Sequence, residues 1–209
     1  MAVTASMVKE LREMTGAGMM DCKKALSATD GDFDKAIEFL REKGLATAEK
    51  KAGRIAAEGL VATTIKDGDK VAAIVEVNSE TDFVAKNEKF QTFVGNVAKQ
   101  IVASDAKDVE ELLGEAWILD PAKTVKDELV SQIAVIGENM NIRRFEKLES
   151  EGVISSYIHA GGKIGVLVEA DAPANDAVTA AIKTIAMQIA AMNPQYISCL
   201  LYTSPSPRD

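Results

Sequence analysis

The chain has 209 residues, 47% hydrophobic and 27% charged, with a formal net charge of −8. That length and balance suit one or two globular domains with sizeable cores, and no apolar run approaches the roughly 20 residues needed to span a bilayer. Two cysteines, Cys22 and Cys199, give no disulfide framework and fit a reducing cytoplasm, the N-terminus lacks the basic and apolar regions of a signal peptide, and the acidic balance disfavours non-specific binding to nucleic acid.

Ser6–Met14 carries apolar residues at Met7, Val8, Leu11 and Met14 and predicts a first short helix, halted at Thr15-Gly16-Ala17-Gly18. A second helix is predicted over Met19–Thr29. Asp30-Gly31-Asp32 breaks the chain and caps a third, Phe33–Lys43, with Phe33, Ile37 and Leu40 on one face. Gly44 is read as its C-terminal stop. Residues 45–57 have no strong core period and read as a helical or flexible linker with a basic middle. Residues 1–56 hold 10 Lys/Arg against 9 Asp/Glu, which leaves −9 on the remainder. An acidic body points to a protein partner rather than to RNA.

The body contains an internal repeat. Gly59–Asn78 aligns without gaps on Gly152–Asp171, an offset of 93 residues, with six of twenty positions identical: Gly59/Gly152, Ile65/Ile158, Gly68/Gly161, Lys70/Lys163, Val75/Val168 and Glu76/Glu169. Each copy reads as a hairpin with a glycine turn, Asp67-Gly68-Asp69 or Ala160-Gly161-Gly162. A helical phrase follows each, Val97–Ala103 in one and Ile185–Ala191 in the other. Two strands and a helix, given twice, predict an α+β core of two packed halves. Between the halves lie a polar segment, a helix near Thr124–Ile136 and an added strand, Asn141–Leu148.

The apolar run Val71–Val75 feeds Glu76-Val77-Asn78-Ser79-Glu80-Thr81-Asp82-Phe83-Val84-Ala85-Lys86. Ser79, Glu80, Thr81 and Asp82 offer side chains that cap a helix start, so Phe83 and Val84 sit where the chain leaves a sheet and enters a helix. Read on its own, this is a helix N-terminus with Phe83 stapled into the core. A corner on a rigid strand is also a place to present a side chain to a partner. In Leu11–Leu26, Gly16-Ala17-Gly18 before a helix hints at a phosphate site, but the Gly-Lys-Ser/Thr ending of a P-loop is missing. Asp21, Cys22, Lys23 and Lys24 read most simply as a solvated face, with Met19, Met20 and Leu26 as core and Cys22 as a small half-buried or buried residue. Ile136–Arg144 reads as a helix end, a turn at Gly137 and Asn139, and a strand. Arg143 and Arg144 suit core acids and a partner equally well. His159, the sole histidine, is placed on a hairpin turn and cannot form a zinc site alone. No nucleophile, metal-ligand or dinucleotide-binding phrase is present.

Two phrases, Glu76–Lys86 and Leu11–Leu26, resemble the signatures of the elongation factor Ts family, and Ile136–Arg144 is similar to a further stretch of it. The resemblance runs from residue 1 to about 197. It implies a ubiquitin-associated-like three-helix domain at 1–44, a linker at 45–57, a core N subdomain at 58–140 and a partial core C subdomain at 141–198. It also implies a guanine nucleotide exchange factor, not an enzyme, that works on elongation factor Tu in the cytoplasm. In that family the segment matching Thr81, Asp82, Phe83 and Val84 inserts into the partner's nucleotide domain, and the shift dislodges a Mg²⁺ ion beside the nucleotide. Met19, Met20 and His159 are further candidate partner contacts on the same ground. The resemblance implies no cofactor, small-molecule substrate, direct nucleic-acid contact or membrane attachment.

Cys199–Asp209 departs from the family pattern and matches the translation of a sequencing-library transposon adapter. It is expected to be a non-native tail on a truncated gene fragment, with a disordered Ser/Pro tail as the alternative. Two other classes stay open at this point. One is an adaptor that binds a protein without altering exchange; the other is a small-molecule enzyme, which converging carboxylates with shifted pKa values in a pocket would mark.

Overall fold

A computed structural model describes residues 3–66, 68 and 70–194; the expectations for residues 195–209 lie outside that range. Three helices open the chain: α1 (Ala5–Thr15), α2 (Met19–Ala28) and α3 (Phe33–Lys51). The Thr4 hydroxyl caps α1, and Gly16 ends it in the left-handed conformation at φ 67°. Val8, Leu11, Cys22, Ala25, Leu26 and Ala36 close a small aliphatic core between the three. Cys22 is fully buried, in line with its reading as a small buried residue, and so does not belong to the solvated face drawn with Asp21, Lys23 and Lys24.

The third helix departs from expectation. It does not stop at Gly44 but runs on to Lys51. Gly44 is buried against the later helix α7 (Val125–Ile136), where an added Cβ would lie 3.5 Å from Val130 Cγ1 and 3.7 Å from Ala134 Cβ. The glycine lies inside a continuous helix, on the face packed against α7, and so is not a terminator. Of the expected helical or flexible linker, residues 45–51 are therefore helix, continuous with α3, and Ala48 packs on the main core. Arg41 adds an ion pair to Asp127 on α7, and Lys51 Nζ donates to the Gly137 carbonyl just past the end of that helix.

The body begins with β1 (Glu58–Lys66) and β2 (Val71–Ser79), an antiparallel hairpin. A four-residue helix α4 (Asp82–Ala85) and the long α5 (Glu88–Ala103) follow. The segment expected to be merely polar holds α6 (Val109–Gly114) and a small hairpin, β3 (Ala116–Trp117) and β4 (Asp120–Thr124). The buried amide of Gln100 organises that hairpin, accepting the Ile118 N–H at 2.7 Å and donating to the Ala116 carbonyl. After α7, β5 (Met140–Glu149) pairs antiparallel with β2, giving the order β1-β2-β5. The strand at the start of the expected C subdomain therefore belongs to the first sheet. Phe90, Phe93, Val94, Val97 and Ile101 of α5 pack on Ala73, Val75 and Val77, with Leu129, Ile133, Met140 and Ile142 completing the core.

The second half repeats the plan with β6 (Val153–His159), β7 (Ile164–Ala170) and α8 (Asp176–Met192). Its hairpin lies on the face of the first sheet that α5 leaves open. Gly165 sits where a Cβ would come within 2.4 Å of Val61 Cγ1 and 2.9 Å of Ile74 Cδ1. The Val61 N–H donates to the Gly162 carbonyl at 2.7 Å. The sequence repeat is thus also a repeat of geometry. Gly68 and Gly161 share φ 65°. At Gly59 and Gly152 a Cβ would fall 2.1 Å and 2.0 Å from the carbonyls of Val77 and Ala170, which are themselves 93 residues apart. The turn lysines answer each other as well: Lys163 reaches Glu58 at the start of the first copy, and Lys70 reaches the carbonyls of Glu151 and Gly152 at the start of the second. The molecule is an α+β protein with a helical N-terminal unit and two hairpin–helix halves.

Candidate partner-docking site

Ser79 ends β2 fully buried, and its hydroxyl donates to the Thr81 carbonyl at 3.1 Å. Thr81 is the extended N-cap of α4, accepting the Val84 N–H on its hydroxyl at 3.4 Å. Val84 and Ala85 turn inward and are buried. Phe83 is left pointing out, 80% exposed. The reading of Phe83 as a core staple is thereby corrected: the inward place is taken by Val84, whose contribution is to anchor the corner.

Two carboxylates, Glu80 of the corner and Glu138 of the loop after α7, tie the two segments together. Glu138, after the left-handed Gly137 that ends α7, accepts the Thr81 hydroxyl at 2.6 Å and the Thr81 N–H at 3.0 Å. Glu80 in turn accepts the Asn139 N–H at 2.5 Å, and Arg54 stands 3.6 Å from it. The buried Asn139 amide donates to the carbonyls of Arg54 at 2.8 Å and Ala52 at 3.5 Å, just past the end of α3. No role was expected of Glu80 and Glu138 beyond cap and turn. The signal for them was a Gly-Glu-Asn turn in the phrase Ile136–Arg144, but its partner lies 57 residues away.

Charge surrounds Phe83. Asp82 and Lys86 pair at 2.7 Å across one turn. The hydrogen bond from Lys86 holds the Asp82 carboxyl below its ordinary value, helped by the nearby charge of Lys163, and the same bond raises Lys86. Lys163 belongs to the turn of the β6–β7 hairpin and ion-pairs with Glu58, so that turn is tied electrostatically to the Phe83 corner. His159 lies there too, on the last residue of β6 rather than on the turn itself. It is exposed, and its Nδ1 is 2.9 Å from the Tyr157 hydroxyl.

Met19 and Met20 form the first turn of α2 and are 55% and 63% exposed. The simpler reading of both as core is therefore overturned; Leu11, Cys22 and Leu26 fill that place. They stand on a different element from the corner, packed with α1 and α3. Arg144 pairs with Glu76, its cross-strand neighbour, at 2.7 Å, while Arg143 is exposed. Among the described residues no cluster of His, Cys, Asp and Glu could hold a metal ion, and no helix is long and apolar enough to cross a membrane.

The model of the family described as "Elongation factor TS" matches residues 80–200, and that of the UBA/TS-N domain matches residues 3–40. A protein named Elongation factor Ts from Clostridium novyi (strain NT) is 61% identical over 197 residues, which cover 93% of this chain and 64% of the relative. Those of Halothermothrix orenii and Clostridioides difficile (strain 630) are 54% and 55% identical and cover 95% and 94% of this chain. The chain spans 64–66% of the length of these relatives. With a signature corner, a UBA/TS-N helical unit and a core that all carry the match, the chain belongs to the elongation factor Ts family.

Proposed function

We propose that this protein is a guanine nucleotide exchange factor of translation elongation, acting on elongation factor Tu. One observation carries the reading: a large aromatic side chain, Phe83, is held 80% exposed on a corner whose neighbours are buried or bonded in place. Burying such a side chain in a partner pocket contributes about 1.5–3 kcal/mol, and among the described residues its own fold leaves it uncovered. Phe83, with Thr81 and Asp82 beside it, enters the nucleotide domain of the partner and shifts the groups that hold Mg²⁺. That ion tolerates little distortion of its octahedral shell and bridges phosphate oxygens, so a small shift weakens GDP binding. His159 on the hairpin and Met19 and Met20 on α2 supply further contacts to the same partner.

No bond is made or broken. The factor binds the nucleotide-free partner more tightly than the GDP-bound one, and by linkage it lowers GDP affinity by the same ratio. GTP then displaces it. The setting is the cytoplasm.

The test is release of fluorescent GDP from elongation factor Tu into excess unlabelled GDP, with and without the full chain. The expected result is acceleration by wild type that falls by roughly tenfold or more in Phe83→Ala, in line with loss of a central aromatic anchor. Binding of the partner without acceleration identifies a passive adaptor instead. Neither binding nor acceleration by the folded chain removes the reading.

A further inference from the structure

Phe83 can displace a group in a partner only if the corner behind it does not yield. The corner cannot supply that stiffness itself, because α4 has four residues and a helix that short does not hold its own shape in water. The restraint comes from across the fold. Glu138 takes both donors of one residue, the hydroxyl of Thr81 at 2.6 Å and its N–H at 3.0 Å. The same hydroxyl accepts the N–H of Val84 at 3.4 Å. Glu138, Thr81 and Val84 thus form one chain of bonds that ends on the residue next to Phe83. One position along, the pairing reverses, and Glu80 accepts the N–H of Asn139 at 2.5 Å. Each loop lends a carboxylate to the backbone of the other. Bonds to a charged acceptor are about twice as strong as neutral ones, and Glu80 is only 20% exposed at its side chain, which limits competition from water.

We infer that Glu138 is a positioning residue for nucleotide exchange, acting through Thr81 to fix where Phe83 points. This rests on the exchange reading of Phe83. Without the carboxylate, the N–H and hydroxyl of Thr81 lose their acceptor and the corner relaxes. The remaining partner contacts are untouched, so docking persists while the push on the ion's ligands weakens. The signature is a fall in maximal exchange rate at nearly constant half-saturating concentration. A displacement of about 1 Å at a working group can cost up to about 100-fold. Here the Ser79 and Val84 bonds persist, and a loss of roughly tenfold is expected.

The experiment measures fluorescent GDP release from elongation factor Tu against concentration of the full chain, for wild type, Phe83→Ala, Glu138→Ala and Glu138→Gln. Amide hydrogen exchange at Thr81 and Val84 is read on the same proteins. The expected result is a roughly tenfold lower maximal rate for Glu138→Ala with half-saturation within about twofold, faster amide exchange at both residues, and partial recovery in Glu138→Gln, which keeps one acceptor oxygen. A wild-type maximal rate in Glu138→Ala overturns the proposal, as does a loss confined to half-saturation. Should Glu138→Ala fail to fold, Glu138→Gln and Thr81→Val take its place, and full rates in both overturn the proposal equally. A wild-type chain that binds but does not accelerate removes the exchange reading itself, a result seen before any variant is compared.

Discussion

Gly59 and Gly152 are positions where one methyl group decides the outcome. Each lies against a carbonyl of the neighbouring strand, and Gly59 adopts φ 140° besides. Alanine at either should cost more than about 2 kcal/mol, because main-chain atoms must move to admit it; urea unfolding checks this. Phe83→Ala is the opposite case. Exposed as it is, its loss should change stability by less than about 0.5 kcal/mol, while the proposed exchange activity falls by roughly tenfold or more. Asp82 adds a pH dependence at the corner. Its folded titration lies below the unfolded value of about 3.9, so its contribution is present above that pH and is lost as pH falls through the folded value. Lys86 is raised, so its side of the pair persists until pH climbs through its own folded value. A carbon NMR titration of the Asp82 carboxyl should show a depressed midpoint that rises in Lys86→Ala. The cap at Thr81 was legible in the sequence because capping is local; Phe83 was placed at the corner, but its outward direction depends on which neighbour the core accepts.

Helices and hairpins were legible wherever their period was undisturbed. Glycine turns marked both hairpins, and the repeat doubled the signal. The end of α3 was not legible, because a glycine that stops a helix and a glycine on a packed helix face look alike in one dimension. The two roles separate experimentally. Gly44→Ala should be neutral or stabilise by up to about 1 kcal/mol, since the methyl meets Val130 and Ala134 at ordinary contact distance and helix propensity improves. Gly44→Leu should destabilise by about 1–3 kcal/mol by forcing α3 off α7. Thermal melts of the two variants give the comparison. The β3–β4 hairpin escaped notice because its organiser, Gln100, is one buried polar side chain on α5, invisible to any pattern of apolar residues.

Among the described residues, the helical unit has a hydrophobic core of its own, and α3 joins it to the core under the first sheet. The N-terminal core is small and separate from the one under the first sheet, yet α3 contributes to both. Local opening should follow that division. Amides of α1 and α2 should exchange faster than those of α5 and β2, with the Gly44–Lys51 half of α3 protected alongside the body. Uniform protection across the chain would mean that the helical unit has no opening of its own. The division into a helical unit and a repeated body was readable from the sequence. How closely they abut was not, because the contacts of Gly44, Arg41 and Lys51 join residues some 86 positions apart.

The continuity of α3 also makes it a ruler. Its 19 residues at about 1.5 Å each span roughly 28 Å, and each residue advances the phase of everything carried before it by about 100°. A flexible tether would let the exposed methionines of α2 find a partner at many distances from Phe83. A rigid rod allows one distance and one rotational phase. On the proposed reading, length changes between Arg41 and Lys51 are therefore errors of aim: three or four residues together, close to a whole turn, disturb the rotational phase less than one does but the distance more.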